Sequence, residues 1–215
     1  MIREACVENF TNVPEVIARG AERIELCDNL AVGGTTVSAG VAATAIRYCH
    51  RKNVKVMSMV RPRGGNFIYS NEEVDIMKQD LLHLKQLGTD GVVFGCLNEA
   101  SWIDEEAMLS LIEVAHGVDI TFHMAFDQIL SDHQFKAIDW LAEHGVKRIL
   151  THGGSGTSKI EDNVTRIQEY IDYAANRIII LPGGGITNEN LRAITDLLSV
   201  DEVHGTRIVG WNENK

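Results

Sequence analysis

A short apolar run, a longer amphipathic stretch and a closing glycine recur about every 30 residues along this chain, and that recurrence leaves few folds open. The apolar runs read as strands at Ile2–Val7, Arg23–Cys27, Val54–Val60, Gly91–Cys96, Ile120–Met124, Arg148–His152, Ile178–Pro182 and Asp201–His204. Most lack strict alternation, as strands covered on both faces must. The stretches between them carry helix signals. Ser70 with Glu73 has the capping-box spacing, and Ser158 with Glu161 repeats it. Val74, Met77, Leu81 and Leu84 then follow at helical spacing. Gly20, Gly88, Gly117 and Gly145 stand where a left-handed C-cap precedes the next strand.

Strand, helix, glycine, strand implies parallel strands joined by right-handed crossovers, hence an α/β protein. No G-x-G-x-x-G follows the first strand, and eight units match a closed (β/α)8 TIM barrel better than an open doubly wound sheet. No linker or low-complexity tract interrupts residues 1–215, so a single barrel domain is expected. About eleven residues follow His204, too few for a full eighth helix, which should be reduced or missing. Either a C-terminal coil covers that thin wall, or neighbouring apolar flanks are exposed and the chain packs as a dimer or larger homo-oligomer.

Lys and Arg number 20 against 30 Asp and Glu, a net charge of −10. This excludes a generally basic surface for nucleic acid or anionic membrane; any anion site must be a local exception. No apolar run nears the ~18 residues of a membrane span. Arg3, Glu4 and Glu8 occupy the place where a signal peptide needs an apolar stretch, so a cytoplasmic protein is expected. Cysteines 6, 27, 49 and 96 form no C-x-x-C pair and should be free thiols.

In a parallel barrel the functional face lies at the carboxyl ends of the strands, and side-chain parity decides which residues point inward. Glu4 and Cys6 share one face, as do Glu25 and Cys27, Met57 and Met59, Thr121 and His123, and Glu202 and His204. These polar groups should face the barrel mouth, because a helix-facing layer cannot hydrate them. Arg61 and Arg63, beside the Gly64-Gly65 pair, could grip a carboxylate or phosphate, or pair statically with Glu4, Glu25 or Asp127. Gly183, Gly184 and Gly185 follow strand seven and open a helix in this reading. Their backbone N–H groups could bind phosphate, or the glycines could serve a tight turn. The His152-Gly153-Gly154-Ser155-Gly156 stretch could line the same rim. His123 is a candidate proton donor or acceptor with Asp127 nearby, or else a satisfied core histidine. Cys6 and Cys27 end adjacent strands with matched parity. With Met57 or Met59 they would be a soft ligand set for Cu(I), or simply buried small hydrophobes; Cys49 and Cys96 read as packing residues.

Taken together, Glu4-Ala-Cys6, Arg23-Ile-Glu25-Leu-Cys27, Gly33-Gly34-Thr35-Thr36 with Ser38, Arg61-Pro-Arg63-Gly-Gly, and Tyr69-Ser70 resemble the CutC family of copper homeostasis proteins. The resemblance continues through Thr121-Phe-His123, Ala125-Phe-Asp127, Leu150-Thr151, Pro182-Gly-Gly-Gly185-Ile and Glu202-Val-His204. It implies a cytoplasmic (β/α)8 barrel, often dimeric or larger, that handles copper, with Cys6 and Cys27 as Cu(I) ligands. Met124 departs from the family pattern, in which many members carry arginine after the histidine. The residues themselves also support an enzyme. Glu4, Glu25, His123 or Asp127 would move protons on a small anionic or phosphorylated substrate, held by Arg61 and Arg63 with Thr151, the glycine loop and His204.

Overall fold

The eight apolar runs form eight parallel strands, each ending within two residues of where the sequence pattern places it: β1 (Ile2–Glu8), β2 (Arg23–Cys27), β3 (Lys55–Met59), β4 (Gly91–Phe94), β5 (Asp119–Phe122), β6 (Arg148–Thr151), β7 (Ile179–Pro182) and β8 (Glu202–Gly205). The helices between them are α1 (Val13–Ala18), α2 (Ala39–His50), α3 (Asn71–Gln86), α4 (Glu105–Ala115), α5 (Gln134–Glu143), α6 (Val164–Ala174) and α7 (Leu191–Thr195). The computed structural model describes residues 1–154 and 156–210, so Ser155 of the proposed rim lies outside the described residues. Among the described residues no helix follows β8.

The strands run in the order β7-β6-β5-β4-β3-β2-β1-β8 and curl into a nearly closed (β/α)8 TIM barrel. Among the described residues no backbone ladder joins β7 to β8. That seam is bridged beyond the strand ends, where Thr187 pairs with Arg207. The loops obey their local signals in most places. Ser70 and Glu73 form the full capping box of α3, and the four helix-stopping glycines all adopt positive φ. Ser158 and Glu161 do not cap an α-helix, because a 3₁₀ turn intervenes and α6 begins only at Val164.

Parity sorts the strand residues into two environments. Ala5, Val7, Ile24, Leu26, Val56, Val92, Phe94, Phe122, Ile149, Ile180 and Val203 join the core packed under the helices. Cys6, Cys27, Met57, Met59 and Val93 form a separate cluster inside the barrel. The rest of the lumen is buried polar surface: Glu4, Arg23, Glu25, Thr121, Arg148, Glu202 and His204. Most barrels fill this space with branched apolar layers. Here charge occupies much of it, and isolated buried charges are too costly to persist unpaired.

The loop from β2 to α2 folds back across the carboxyl end. Asp28 and Thr35 pair as an antiparallel bridge, and Leu30 N donates to Glu8 Oε2 at 2.6 Å. Arg61 Nη1, from the end of β3, donates to Val32 O at 2.8 Å and Gly34 O at 2.9 Å. Gly34 sits at φ +88°, and a Cβ there would come 3.1 Å from Cys27 Sγ, so its backbone roofs that thiol.

Candidate functional site

At the amino ends of the strands an ionic network lines the lumen. Register sets Glu4 beside Arg23, and Ile2 beside Glu202. Arg23 Nε donates to Glu4 Oε2 and its Nη2 to Glu202 Oε2 at 2.6 Å. Arg148 Nε reaches the same Glu202 oxygen at 3.1 Å, and its Nη2 reaches Asp119 Oδ2 at 3.2 Å. Each guanidinium therefore meets two carboxylates.

Above it the chemistry turns soft. His204 Nδ1 lies 2.8 Å from Glu4 Oε1, and its Nε2 lies 3.7 Å from Glu25 Oε2. Cys27 Sγ is 3.5 Å from the same Glu25 oxygen. The donor atoms of Cys6, Glu25 and Cys27 all lie within 4.8 Å of one another, as do those of Glu4, Glu25 and His204. All five residues are buried. A hydrogen bond from Cys27, helped by His204, outweighs burial and draws the Cys6 thiol down to about 5. That same bond, with burial, pushes the Cys27 thiol well up. Burial and the nearby Cys6 charge raise the Glu25 carboxyl well above its usual range. Burial would raise Glu4 too, but the His204 hydrogen bond and the Arg23 charge prevail and hold it near about 2. Burial works against the His204 cation, yet Glu25, Cys6 and Glu4 outweigh it and lift its pKa well above the ordinary value.

The remaining sequence-derived candidates stand around the mouth, tied to other partners. Arg61 is buried and spends three N–H groups on the carbonyls of Val32, Gly34 and Gly65. It meets neither Glu4, Glu25 nor Asp127. Arg63 points away, paired with Glu73 at 2.5 Å. Asp127 accepts from Thr151 Oγ1 and from His152 N at 2.9 Å, stapling the loop after β6. His123 Nδ1 accepts from Ala125 N at 3.3 Å, and its ring lies 4.6 Å from that of Phe67. The glycine run does not open directly onto a helix, because α7 begins at Leu191 and has five residues. Gly183 N bonds Thr151 O, and a Cβ at Gly183 would strike Leu150 and His204. Close packing explains that glycine.

Sequence reasoning passed over Arg23, Arg148 and Asp119. The signal was present for Arg23, which shares parity with Glu25 and Cys27. The weight given to carboxyl ends hid residues at strand starts.

The family model described as CutC family matches residues 1–209. A CutC family protein of Enterococcus faecalis is 58% identical over 209 residues, covering 97% of this chain and 100% of that protein. A copper homeostasis protein cutC homolog of Mus musculus is 39% identical over 203 residues, covering 94% and 72%. A crystal structure of a CutC protein from Streptococcus agalactiae matches with a TM-score of 0.94 at 45% identity, over 97% of this chain and 99% of that one.

Proposed function

The chain belongs to the CutC family, and on that footing we propose that it handles copper by holding Cu(I) between the Cys6 and Cys27 sulfurs inside the barrel. One observation carries this reading. Two buried thiols on adjacent strands bring their sulfurs within 4.8 Å of each other and of a Glu25 oxygen. Thiolates select Cu(I) over hard cations, and Met57 and Met59 add thioethers to the same cluster. The thiolate character of Cys6 supplies one charged ligand before the ion arrives. The name of the mouse relative supports copper as the cargo.

We place this activity in the cytosol, where four free cysteines remain reduced. Self-association would use the thin wall near α7, where Leu197 is 65% exposed. Light scattering of Leu197→Glu checks it: a lighter species supports the interface, and an unchanged mass rejects it. For copper, an anaerobic titration against a chromogenic Cu(I) chelator should give about one ion per chain. The joint variant Cys6→Ser with Cys27→Ser should lose that uptake. Equal uptake by that variant ends the proposal.

A second reading, an enzyme using acid–base chemistry on a small anionic or phosphorylated substrate, is favoured by the opposed carboxyls of Glu4 and Glu25. One is held near about 2 and the other well above its ordinary value. Such divergence is how a site obtains an acid and a base from two like groups. A metabolite screen by thermal shift tests it, and a screen without a single stabilising compound counts against it.

A further inference from the structure

Among the described residues, buried side-chain polar atoms without a hydrogen-bond partner are Glu25 Oε1, Arg61 Nε, Tyr69 Oη, Thr121 Oγ1 and His123 Nε2. Buried polar atoms are nearly always paired, so a cluster of exceptions needs an explanation. None belongs to the saturated network of Arg23, Arg148 and Glu202. Thr121 lies on β5 and His123 directly after its last residue with the same parity; Thr121 sits in register with lumen-facing Val93 on one side and Arg148 on the other. Arg61 and His123 both pack on Phe67, with the Arg61 Cζ 4.9 Å and the imidazole centre 4.6 Å from the ring centre.

The charges and protons are defined. Arg61 is only 4% exposed, yet no carboxylate of the described residues lies within ion-pairing distance; its partners are backbone carbonyls. A buried guanidinium without a counter-charge is a costly arrangement that an anion would relieve. His123 Nδ1 accepts from Ala125 N, so in the neutral ring the proton sits on Nε2. Burial and the Arg61 charge keep the ring neutral, with a pKa of about 3. His123 Nε2–H is thus a donor without an acceptor. The Tyr69 hydroxyl is a near neighbour of the Arg61 guanidinium, yet neither it nor Arg61 Nε–H makes a well-formed hydrogen bond, and the Thr121 hydroxyl can supply a further donor. A Cβ at Gly95 would come 2.9 Å from the imidazole, so the absence of a side chain there lets the ring take this position.

We infer that the barrel mouth beside Phe67 binds a small oxyanion, a carboxylate or a phosphate, through Arg61 Nε, His123 Nε2 and the Thr121 hydroxyl. The site is distinct from the two thiols, and its occupation requires neither copper nor turnover.

The test uses the metal-free full-length protein, with acetate, succinate and inorganic phosphate as probes and acetamide as a neutral control. Binding is read by the melting temperature and by the imidazole ¹H–¹⁵N signal of His123 Nε2. Saturable stabilisation by one of the anions, with a displaced Nε2–H resonance and no response to acetamide, is the expected result; whether carboxylates or phosphate produce it identifies the source. His123→Phe removes the imidazole donor and should weaken the effective anion by about tenfold or more. Thr121→Val keeps the shape of its side chain and should weaken the same anion, which preserves the test if the histidine variant fails to fold. No saturable response to any anion, an equal response to acetamide, or full binding by Thr121→Val overturns the inference.

Discussion

At the amino end of the strands, Arg23 and Arg148 each meet two carboxylates, and among the described residues no fully buried polar atom of that network is unpartnered. At the carboxyl end, Glu25, Thr121, His123 and Arg61 each leave a buried polar atom unmatched, and two thiols share a carboxylate oxygen's neighbourhood. One lumen thus has a saturated floor and an unsaturated ceiling. Paired charge offsets the cost of its own burial, while unmatched buried groups retain unused hydrogen-bonding capacity.

The largest effect should come from breaking the floor. Arg23→Met leaves buried Glu4 with His204 alone and buried Glu202 with Arg148 alone, and should cost about 3–5 kcal/mol in denaturant unfolding. A loss under about 1 kcal/mol would mean that the network contributes little and that the contrast fails. Next comes acidification. His123 is held neutral with a pKa of about 3, against about 6.5 when unfolded. Its folded pKa is depressed, so the unfolded chain binds the proton first as pH falls below about 6.5. Stability should then decline by up to about 1.4 kcal/mol per pH unit until the folded ring also protonates. His123→Phe should flatten that part of the profile, and parallel curves would refute the buried neutral ring.

Smaller still is Gly95→Ala, whose new methyl meets the His123 ring and should cost about 1–3 kcal/mol. An unchanged melting temperature would show that the ring moves freely. Smallest, and opposite in sign to the floor, is Thr121→Val in the ligand-free protein. Removing an unpaired buried hydroxyl should leave stability unchanged or raise it by about 1 kcal/mol. A clear loss would reveal a partner for that hydroxyl and remove one of the unmatched groups.

The strands were legible because period and glycine punctuation are local properties, and parity alone correctly put Cys6, Cys27, Met57 and Met59 on one inner surface. What stayed hidden depends on competition between distant groups. Arg61 was readable as a cation near the mouth, but its capture by the carbonyls of Val32, Gly34 and Gly65 is decided by loop packing. Asp127 was paired in sequence with His123, yet its oxygens go to Thr151 and His152, 24 and 25 residues further along the chain. The Gly183–Gly185 run read either as an anion cradle or as a tight turn, and only the packing of Leu150 and His204 against Gly183 shows why glycine is required at its first position.

The backbone of Gly34, pinned by Arg61 while Leu30 is held by Glu8, lies directly over the Cys27 sulfur. An ion lodged beneath it would escape no faster than that segment lifts. Residence time would then be governed by a hinge rather than by ligand strength alone, and a bulky competitor would strip the cargo more slowly than a slim one of equal affinity. Such a chain would behave as a vault with a latch, releasing its contents on the timescale of its own backbone.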